Sequence, residues 1–169
     1  MQQHIGAPCT PLVQVGDYVL RGQKIGDGEG LCVPVHASVS GTVVAVEPRP
    51  HTSGRQVMAV VIENDFKDAA IQVERCDNPM ETMDDDTILH KIREAGLVGM
   101  GGAAFPGNVK ALSAMGHIEY LIANACECEP YITADDGLLR TSPEQVLKGM
   151  QLLARVLKPD HVVLAVEDN

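Results

Sequence analysis

The chain has 169 residues, of which 45% are hydrophobic, so it can bury the core of one large globular domain or of two small ones. A net charge of −10 argues against nucleic acid and against an anionic membrane surface as direct partners. No apolar run has the length of a membrane span, and the N-terminus lacks a signal-peptide pattern. We therefore expect a cytoplasmic protein without direct membrane insertion.

The first part of the chain has the pattern of β structure. Short runs of β-branched residues, at a spacing of about ten residues, alternate with Gly, Pro, Asn and Asp. This spacing is typical of a small barrel or sandwich. The pattern changes within "RCDNPMETMDDD", so we predict one domain at 1–76 and a second at 83–169.

The second part begins with two predicted helices. The segment "DDDTILHKIREAG" has acidic residues at its start, an apolar face, basic residues near its end and Gly96 as a stop signal. The segment "GNVKALSAMG" is predicted to be a shorter helix that ends at Gly116.

The remaining segments predict a parallel sheet. Strands are expected in "IEYLIANA" and "HVVLAVED", and the long helix between them should begin at Ser142 with a capping box to Gln145. A strand–helix–strand order indicates a right-handed crossover. The second strand is apolar enough to be buried on both faces. Because the sequence stops just after this strand, we expect domain 83–169 to be truncated at its C-terminus.

The cysteines do not indicate a disulfide framework or a metal centre. They number five, an odd count, and no C-x-x-C motif is present. Cys9, Cys32 and Cys76 are interpreted as reduced thiols. Cys126 and Cys128 are close in sequence, but a zinc or iron–sulfur site needs about four ligands. We therefore predict no metal site.

One stretch of the first part resembles carrier domains. The run "VGDYVLRGQKIGDGEGLCVPVHASVSGTVVAVEP" is similar to the barrel-sandwich pattern of biotinyl and lipoyl carriers. Carriers attach their group to a lysine at a hairpin tip, but residues 27–32, at the corresponding tip, include no lysine. Lys24 lies in the preceding strand. A structural or docking barrel is therefore the better interpretation.

A second stretch is rich in glycine. The sequence "GLVGMGGAAFPGNVK", from Gly96 to Lys110, lies between the two predicted helices. A glycine-rich turn that opens a helix offers free N–H groups and a positive dipole end to an anion, and Lys110 could add a charge. The stretch matches neither the Walker motif nor the dinucleotide-binding fingerprint. A purely structural glycine turn remains the alternative.

An acidic segment, "NACECEPYITADD", follows the next predicted strand. Ligands of α/β sheets gather at the carboxyl ends of strands, which is where residues 124–136 should lie. Carboxylates and an asparagine beside a glycine-rich anion site suit a ligand that has a phosphate and hydrogen-bonding NH or OH groups. Flavin mononucleotide (FMN) has both features.

Together, these motifs resemble a known family. The glycine stretch, the run "LIANACECEPYITADD" and the N-terminal run that begins "QHIGAP" are similar to the N-terminal part of RnfC, a subunit of the Rnf electron-transport complex. The first two are more distantly similar to the FMN-binding subunit of respiratory NADH dehydrogenase. The resemblance implies an α/β protein, with an N-terminal all-β barrel-sandwich hybrid (biotinyl/lipoyl-like) followed by the start of a Rossmann-like flavin-binding domain.

The resemblance also implies a set of cofactor-binding residues and no catalytic acid or base. The glycine loop would contact the FMN phosphate and the dinucleotide, with a phenylalanine on the nicotinamide side and a lysine on the phosphate. The asparagine, one cysteine and one glutamate would hydrogen-bond the flavin, and a second glutamate would lie near the nicotinamide nucleotide. These residues are Gly99, Gly101, Gly102, Ala103, Phe105, Lys110, Asn124, Cys126, Glu127 and Glu129.

The chain departs from the family pattern at several of these positions. Met100 replaces the arginine of the respiratory motif, which removes a fixed charge near the phosphates. Cys126 and Cys128 replace Asp and Ser of the same motif. The Rnf pattern has cysteine at position 128, but usually alanine at 126 and glycine where Ala125 lies.

The function implied by the resemblance is that of an NADH-linked oxidoreductase subunit of the ferredoxin:NAD type. It would exchange electrons between NAD(H) and iron–sulfur carriers through FMN, in an ion-translocating complex on the inner face of the cell membrane. Other subunits and ferredoxin-like carriers would be its partners. The 4Fe-4S clusters and the rest of the flavin pocket are expected outside this chain, which alone should be inactive. The alternatives are a cobalamin-reductase-like relative and a non-catalytic docking module.

Overall fold

The predicted β structure is found in two three-stranded antiparallel sheets. One has the strand order β1-β3-β4 and the other the order β2-β5-β6. The longest pairing joins β5 to β6, and it contains a register shift that bends the ribbon. The strands are β1 (Thr10–Pro11), β2 (Tyr18–Val19), β3 (Lys24–Asp27), β4 (Val35–His36), β5 (Gly41–Pro50) and β6 (Gln56–Asn64).

Helices dominate the rest of the chain, with one further sheet. Strands β7 and β8 pair in parallel, in register from Tyr120 opposite His161, which confirms the predicted parallel pairing. The elements are α1 (Pro79–Thr82), α2 (Asp85–Glu94), α3 (Gly107–Ala114), β7 (Tyr120–Ala125), α4 (Ala134–Thr141), α5 (Pro143–Leu157) and β8 (His161–Val166).

The computed structural model describes residues 1–74, 76–100 and 102–168. The chain divides into two units: unit 1 is Met1–Arg75 with Lys91–Asn108, and unit 2 is Cys76–His90 with Val109–Asn169. The sequence predicts one boundary between two continuous domains, whereas in this division residues 91–108 belong to the same unit as the β sheets. The domains 1–76 and 83–169 stay predictions.

Unit 1 has an aliphatic core, as expected for a chain without tryptophan. Val19, Val43 and Cys32 are completely buried, and Ile25 and Val35 pack beside them. Each of the aliphatic side chains stabilises the fold by about 1.5–3 kcal/mol through removal of its surface from water. The two sheets are therefore held together by side chains that alternate along short strands.

Strand β8 does not have the burial that its sequence predicts. Val162, Val163 and Val166 are exposed to 47%, 40% and 55%. Ile122 on β7 is exposed to 58%. Helix α5 packs against β7, but a sheet of two strands offers each side chain few neighbours. The prediction of burial on both faces is wrong for this chain.

The start of helix α5 also differs from the prediction. Ser142 is its N-cap residue, but its side chain makes no capping hydrogen bond. Gln145 N–H instead donates to the Ser142 backbone oxygen at 3.1 Å. The physical reason is α4, a helix that the sequence analysis missed: Ser142 also ends α4 and donates its N–H to Leu138. The predicted capping box is therefore absent.

No helix among the described residues is long and apolar enough to cross a membrane.

Helix α2 ends as predicted, in a motif that requires glycine. Gly96 has φ +67°, its N–H donates to Arg93 O at 2.8 Å, and Leu97 N–H donates to Ile92 O at 3.3 Å. These two bonds form a Schellman motif, which satisfies free carbonyls at the helix end. A Cβ atom on residue 96 would lie 2.8 Å from Pro34 O.

An ion-pair network holds the last turn of α2 to strand β3 within unit 1. Arg93 Nη2 lies 2.7 Å from Asp27 Oδ1, and Lys24 Nζ lies 3.1 Å from Asp27 Oδ2. Lys24 also pairs with Glu94. Burial alone would raise the pKa of Asp27, but hydrogen bonds from Arg93, Gly28 N–H and Lys24 outweigh it and lower the pKa to about 2. The side chains of Arg93, Asp27 and Lys24 are each largely removed from water.

We predict that Gly96→Ala destabilises unit 1 by about 2–4 kcal/mol, because it adds backbone strain and a clash with Pro34 O. Chemical denaturation at neutral pH measures this loss. Gly30→Ala is the matched control: Gly30 has φ +73° and open space around its missing Cβ, so only the strain, about 1 kcal/mol, should remain. Equal losses for the two variants would contradict the proposed clash.

We predict that Asp27→Asn lowers the free energy of unfolding at neutral pH by about 1–3 kcal/mol. Since the folded-state pKa lies below the ordinary value of 3.8, this stabilisation is present above about pH 4 and is lost as the pH falls toward 2. The variant should therefore show a shallower loss of stability over that window. Denaturation curves at a series of pH values measure both effects.

The control for Asp27→Asn is Asp68→Asn, which removes an ion pair with Arg21 whose side chains are 70% and 49% exposed. Such exposed pairs contribute about 0–1 kcal/mol. A loss for Asp27→Asn no larger than that of the control would contradict the prediction.

Candidate functional site

The glycine stretch forms a closed loop between helices α2 and α3. Gly99 N–H donates to Phe105 O at 2.8 Å, and Gly107 N–H donates to Leu97 O at 2.9 Å. An isolated antiparallel bridge joins Val98 to a proline between these two bonds. The loop therefore has a hydrogen-bonded stem and presents its central residues at the tip.

The tip of this loop has the backbone freedom that the sequence analysis expected. Gly102 has φ +95°, and no atom lies within 4 Å of the position of its missing Cβ. Met100 is 93% exposed. Ala103 O accepts a hydrogen bond from Ile5 N–H at 3.2 Å, which ties the tip to the N-terminal segment. Gly101, also predicted to bind cofactor, lies outside the described residues.

A cavity of about 660 Å³ lies beside the tip, entirely within unit 1. Its lining includes Gly102, Ala103, His51 and Arg55. Arg55 provides a cation, so the cavity suits an anionic ligand, whereas both ring nitrogens of His51 are engaged by Ser53 and by Gln2 O. Arg55 and His51 were not predicted from the sequence, because they lie far along the chain from the glycine stretch, at the β5–β6 connection.

Helix α3 begins directly after the loop, as predicted. Asn108, in its first turn, has a buried side-chain oxygen without a hydrogen-bond partner in the described part of the chain. Buried polar atoms are usually satisfied, so an unpartnered one is notable beside a proposed ligand loop. Lys110 follows in the same helix and is exposed. The start of α3 therefore has a cation, Lys110, and an acceptor oxygen without a hydrogen-bond partner, Asn108 Oδ1.

The acidic segment after β7 is ordered by its own side chains. Asn124 Oδ1 accepts a hydrogen bond from Cys126 N–H at 3.2 Å. Glu127 Oε1 accepts hydrogen bonds from Asp135 N–H at 2.8 Å and from Asp136 N–H at 3.1 Å. These are N–H groups of the first turn of α4, so the Glu127 carboxylate caps the positive end of that helix.

The second predicted glutamate, Glu129, has a more exposed environment than Glu127. Glu129 is exposed, and its backbone oxygen accepts a hydrogen bond from Ile132 N–H at 3.4 Å. Cys126 is half-buried and Cys128 is exposed. The two cysteines that replace Asp and Ser of the respiratory motif are thus both accessible to some degree.

Some of the predicted site residues lie in unit 1 and the others lie in unit 2. Local hydrogen bonds hold the glycine loop in unit 1 and the acidic segment in unit 2. The exposed tip and the unobstructed Gly102 leave room for a phosphate, and the unpartnered Asn108 Oδ1 is an acceptor for an NH or OH group of a flavin, although the carboxylate of Glu127 is already engaged by α4. Gly99, Gly102, Ala103 and Phe105 lie in unit 1, whereas Lys110, Asn124, Cys126, Glu127 and Glu129 lie in unit 2.

Two family models match the chain. Residues 1–67 match the RnfC barrel sandwich hybrid domain, and residues 92–169 match the Nuo51 FMN-binding domain. The matches confirm the predicted fold class, a barrel-sandwich hybrid followed by a flavin-binding α/β domain. The second match begins within α2 and includes both the glycine loop and the acidic segment.

Curated relatives match the whole chain. It is 46% identical to the C subunit of the Na⁺-translocating ferredoxin:NAD⁺ oxidoreductase complex of Acetobacterium woodii, covering 100% of this chain and 39% of that protein. It is 45% identical to the C subunit of the ion-translocating oxidoreductase complex of Actinobacillus succinogenes, covering 100% of this chain and 24% of that protein. The chain thus spans well under half the length of these relatives. The two domain matches and the identity to these relatives confirm the predicted similarity of this chain to the N-terminal part of RnfC-type subunits.

Proposed function

We propose that the chain forms part of an FMN site in a redox subunit that exchanges electrons between NAD(H) and iron–sulfur carriers. The observation that supports this most directly is the glycine loop, whose open tip precedes a helix start with an unpartnered buried oxygen on Asn108. The match of residues 92–169 to an FMN-binding domain supports the same ligand. The names of the relatives support the redox partners.

In this proposal, the protein binds and orients the cofactor, and FMN supplies the hydride and single-electron chemistry when it is bound. Backbone N–H groups of the glycine loop, including Gly101, would contact phosphate, because glycine residues permit close approach of a ligand to the backbone. Lys110 would add a positive charge to the phosphate. Phe105, 38% exposed, would cover the nicotinamide side.

The acidic segment would orient the ring of the flavin. Asn124 and Cys126 are already linked by a hydrogen bond, so this part of the segment is held in a defined arrangement. Glu127 would act through its second carboxylate oxygen or by fixing the start of α4, since its Oε1 atom is engaged. Glu129, which is exposed, would lie near the nicotinamide nucleotide.

The partners follow from the relatives rather than from this chain. We propose that the intact protein works with other subunits of an ion-translocating complex and with ferredoxin-like carriers. It would lie peripherally on the inner face of the cell membrane, and 4Fe-4S clusters would be bound outside this chain. This chain alone should be inactive in electron transfer.

A docking module without catalytic function is the second candidate. Two observations favour it: Met100, at the loop tip, is 93% exposed and adds no charge, and the Glu127 carboxylate serves a structural helix. Such a module would keep the barrel and the loop but would not bind flavin. Flavin binding therefore separates the two candidates.

We predict that the purified chain binds FMN with a micromolar dissociation constant, measured by quenching of flavin fluorescence. Gly102→Val should weaken binding at least about 10-fold, because a branched side chain would occupy the open tip at a positive φ. Gly30→Val is the matched control, since Gly30 also has a positive φ and open surroundings. It should leave binding unchanged.

The same titration on a chain extended to the length of the relatives separates two reasons for failure. Binding only by the longer chain would indicate that this part holds an incomplete pocket. Absence of binding by both would contradict the proposed function and favour the docking module.

A second prediction contrasts the two glutamates of the acidic segment. Glu127→Ala should destabilise unit 2 by about 1 kcal/mol, because α4 loses its capping carboxylate. Glu129→Ala, a matched removal of an exposed carboxylate, should leave stability within about 0.5 kcal/mol of the parent. Thermal denaturation followed by circular dichroism measures both. Equal stability of the two variants would show that the cap has no energetic role.

A further inference from the structure

Three metal-binding side chains meet in the interior of unit 1. His4, Cys9 and Cys32 are exposed to only 6%, 4% and 0%. Their candidate ligand atoms all lie within 4.8 Å of one another. The sequence alone predicts no metal site, and both cysteines are interpreted from it as ordinary reduced thiols. We propose that these three residues bind a single zinc ion.

The spacing of the three atoms is close to that required by zinc. Cys9 Sγ lies 3.3 Å from Cys32 Sγ, and His4 Nε2 lies 3.9 Å and 3.7 Å from the two sulfurs. With Zn–S near 2.3 Å and Zn–N near 2.0 Å, a tetrahedral ion separates two sulfurs by about 3.8 Å and a sulfur from a nitrogen by about 3.5 Å. The cluster therefore needs adjustments of only about 0.5 Å or less to bind it.

The orientation of the imidazole also suits a metal. His4 Nδ1 lies 3.0 Å from Ile5 O, and in the tautomer that carries the proton on Nδ1 it donates to this carbonyl. Nε2 then has a lone pair, 3.3 Å from Val33 N and 3.2 Å from Val33 O, and a zinc ion would take this lone pair in place of the Val33 N–H. Histidine ligands of metals commonly donate their other N–H to a backbone carbonyl in this way.

The backbone around the cluster holds the two cysteine-bearing segments close together. Ala7 N–H donates to Leu31 O at 3.0 Å. A Cβ on residue 28 would lie 3.0 Å from Cys32 Sγ, so Gly28 leaves space for that sulfur. Such preorganisation lowers the entropic cost of forming a metal site.

A fourth ligand is available, and the charges balance. Val33 O lies 3.2 Å from both Cys9 Sγ and His4 Nε2, which places one oxygen beside two of the three ligand atoms. On binding, Zn–S bonds replace the two S–H bonds, and both protons pass to solvent. Two thiolates then cancel the charge of Zn²⁺, which makes burial of the ion feasible.

The ligand set favours zinc over other metal centres. Two thiolates and an imidazole are typical zinc ligands, whereas an iron–sulfur cluster usually needs four cysteines. Calcium and magnesium prefer oxygen ligands, which are represented here by one carbonyl. The competing interpretations are a hydrogen-bonded pair of thiols and a Cys9–Cys32 disulfide.

The test begins with the unmodified chain, purified anaerobically after expression with zinc. Elemental analysis and native mass spectrometry should find one zinc ion per chain. After the zinc is removed by a chelator, addition of Co²⁺ should produce thiolate-to-cobalt charge-transfer bands and the strong visible absorption of a four-coordinate ion. This part needs no substitution, so it does not depend on the folding of a variant.

Variants then locate the site. Cys9→Ser, Cys32→Ser and His4→Gln should each weaken metal affinity at least about 100-fold in competition with a chromophoric chelator. Cys76→Ser is the matched control, since Cys76 is an exposed cysteine of unit 2, and it should bind as the parent does. Circular dichroism confirms that each variant is folded.

Three results would overturn the proposal. The first is a folded parent chain that neither retains zinc nor gives the cobalt spectrum. The second is metal binding that the three substitutions leave unchanged, which would place the ion elsewhere. The third is an anaerobically purified chain that is two hydrogens lighter than expected, with Cys9 linked to Cys32 by a disulfide.

Discussion

The ion-pair network around Asp27 is the constraint on which the geometry of unit 1 depends. It joins β3 to the last turn of α2 through Arg93 and Lys24, with Glu94 as a second acceptor. The four side chains are 24–31% exposed, and Glu94 also pairs with Arg93, so two acidic and two basic groups share their partners. Removal of Asp27 would leave Lys24 and Arg93 with Glu94 alone, which weakens the attachment of α2 to β3 without leaving a charge unpaired.

The position of the glycine loop follows from that constraint. Helix α2 ends directly after the network, where Gly96 turns the chain and Leu97 O receives the N–H of Gly107. The stem of the loop is thus attached to a helix end that is itself fixed to the β sheet. The hydrogen bonds of the stem and the ion pairs of α2 therefore set the position from which the glycine residues of the tip can approach a ligand.

Features that depend on neighbouring residues and on chain connectivity were predicted from the sequence. Features that depend on contacts with other parts of the chain were missed. The helix end at Gly96 and the parallel pairing of β7 with β8 depend on turn chemistry and chain connectivity, which the sequence contains directly. Helix α4 was missed because its start is stabilised by Glu127, which lies outside the helix. The burial of β8 depends on its neighbours, so composition alone overestimated it. Cys9 and Cys32 are 23 residues apart and match no metal-ligand spacing.

The peptide groups on either side of Ile5 link the two proposed sites within unit 1. The N–H of Ile5 donates to Ala103 O at the tip of the glycine loop, and its carbonyl oxygen accepts the Nδ1 proton of His4. A zinc ion bound by His4 would hold that imidazole in place, and the imidazole would hold the carbonyl. The backbone of Ile5 would then present its N–H to the loop tip in a fixed direction. The metal would thus contribute to flavin binding by ordering the backbone beside the loop, without contacting the flavin.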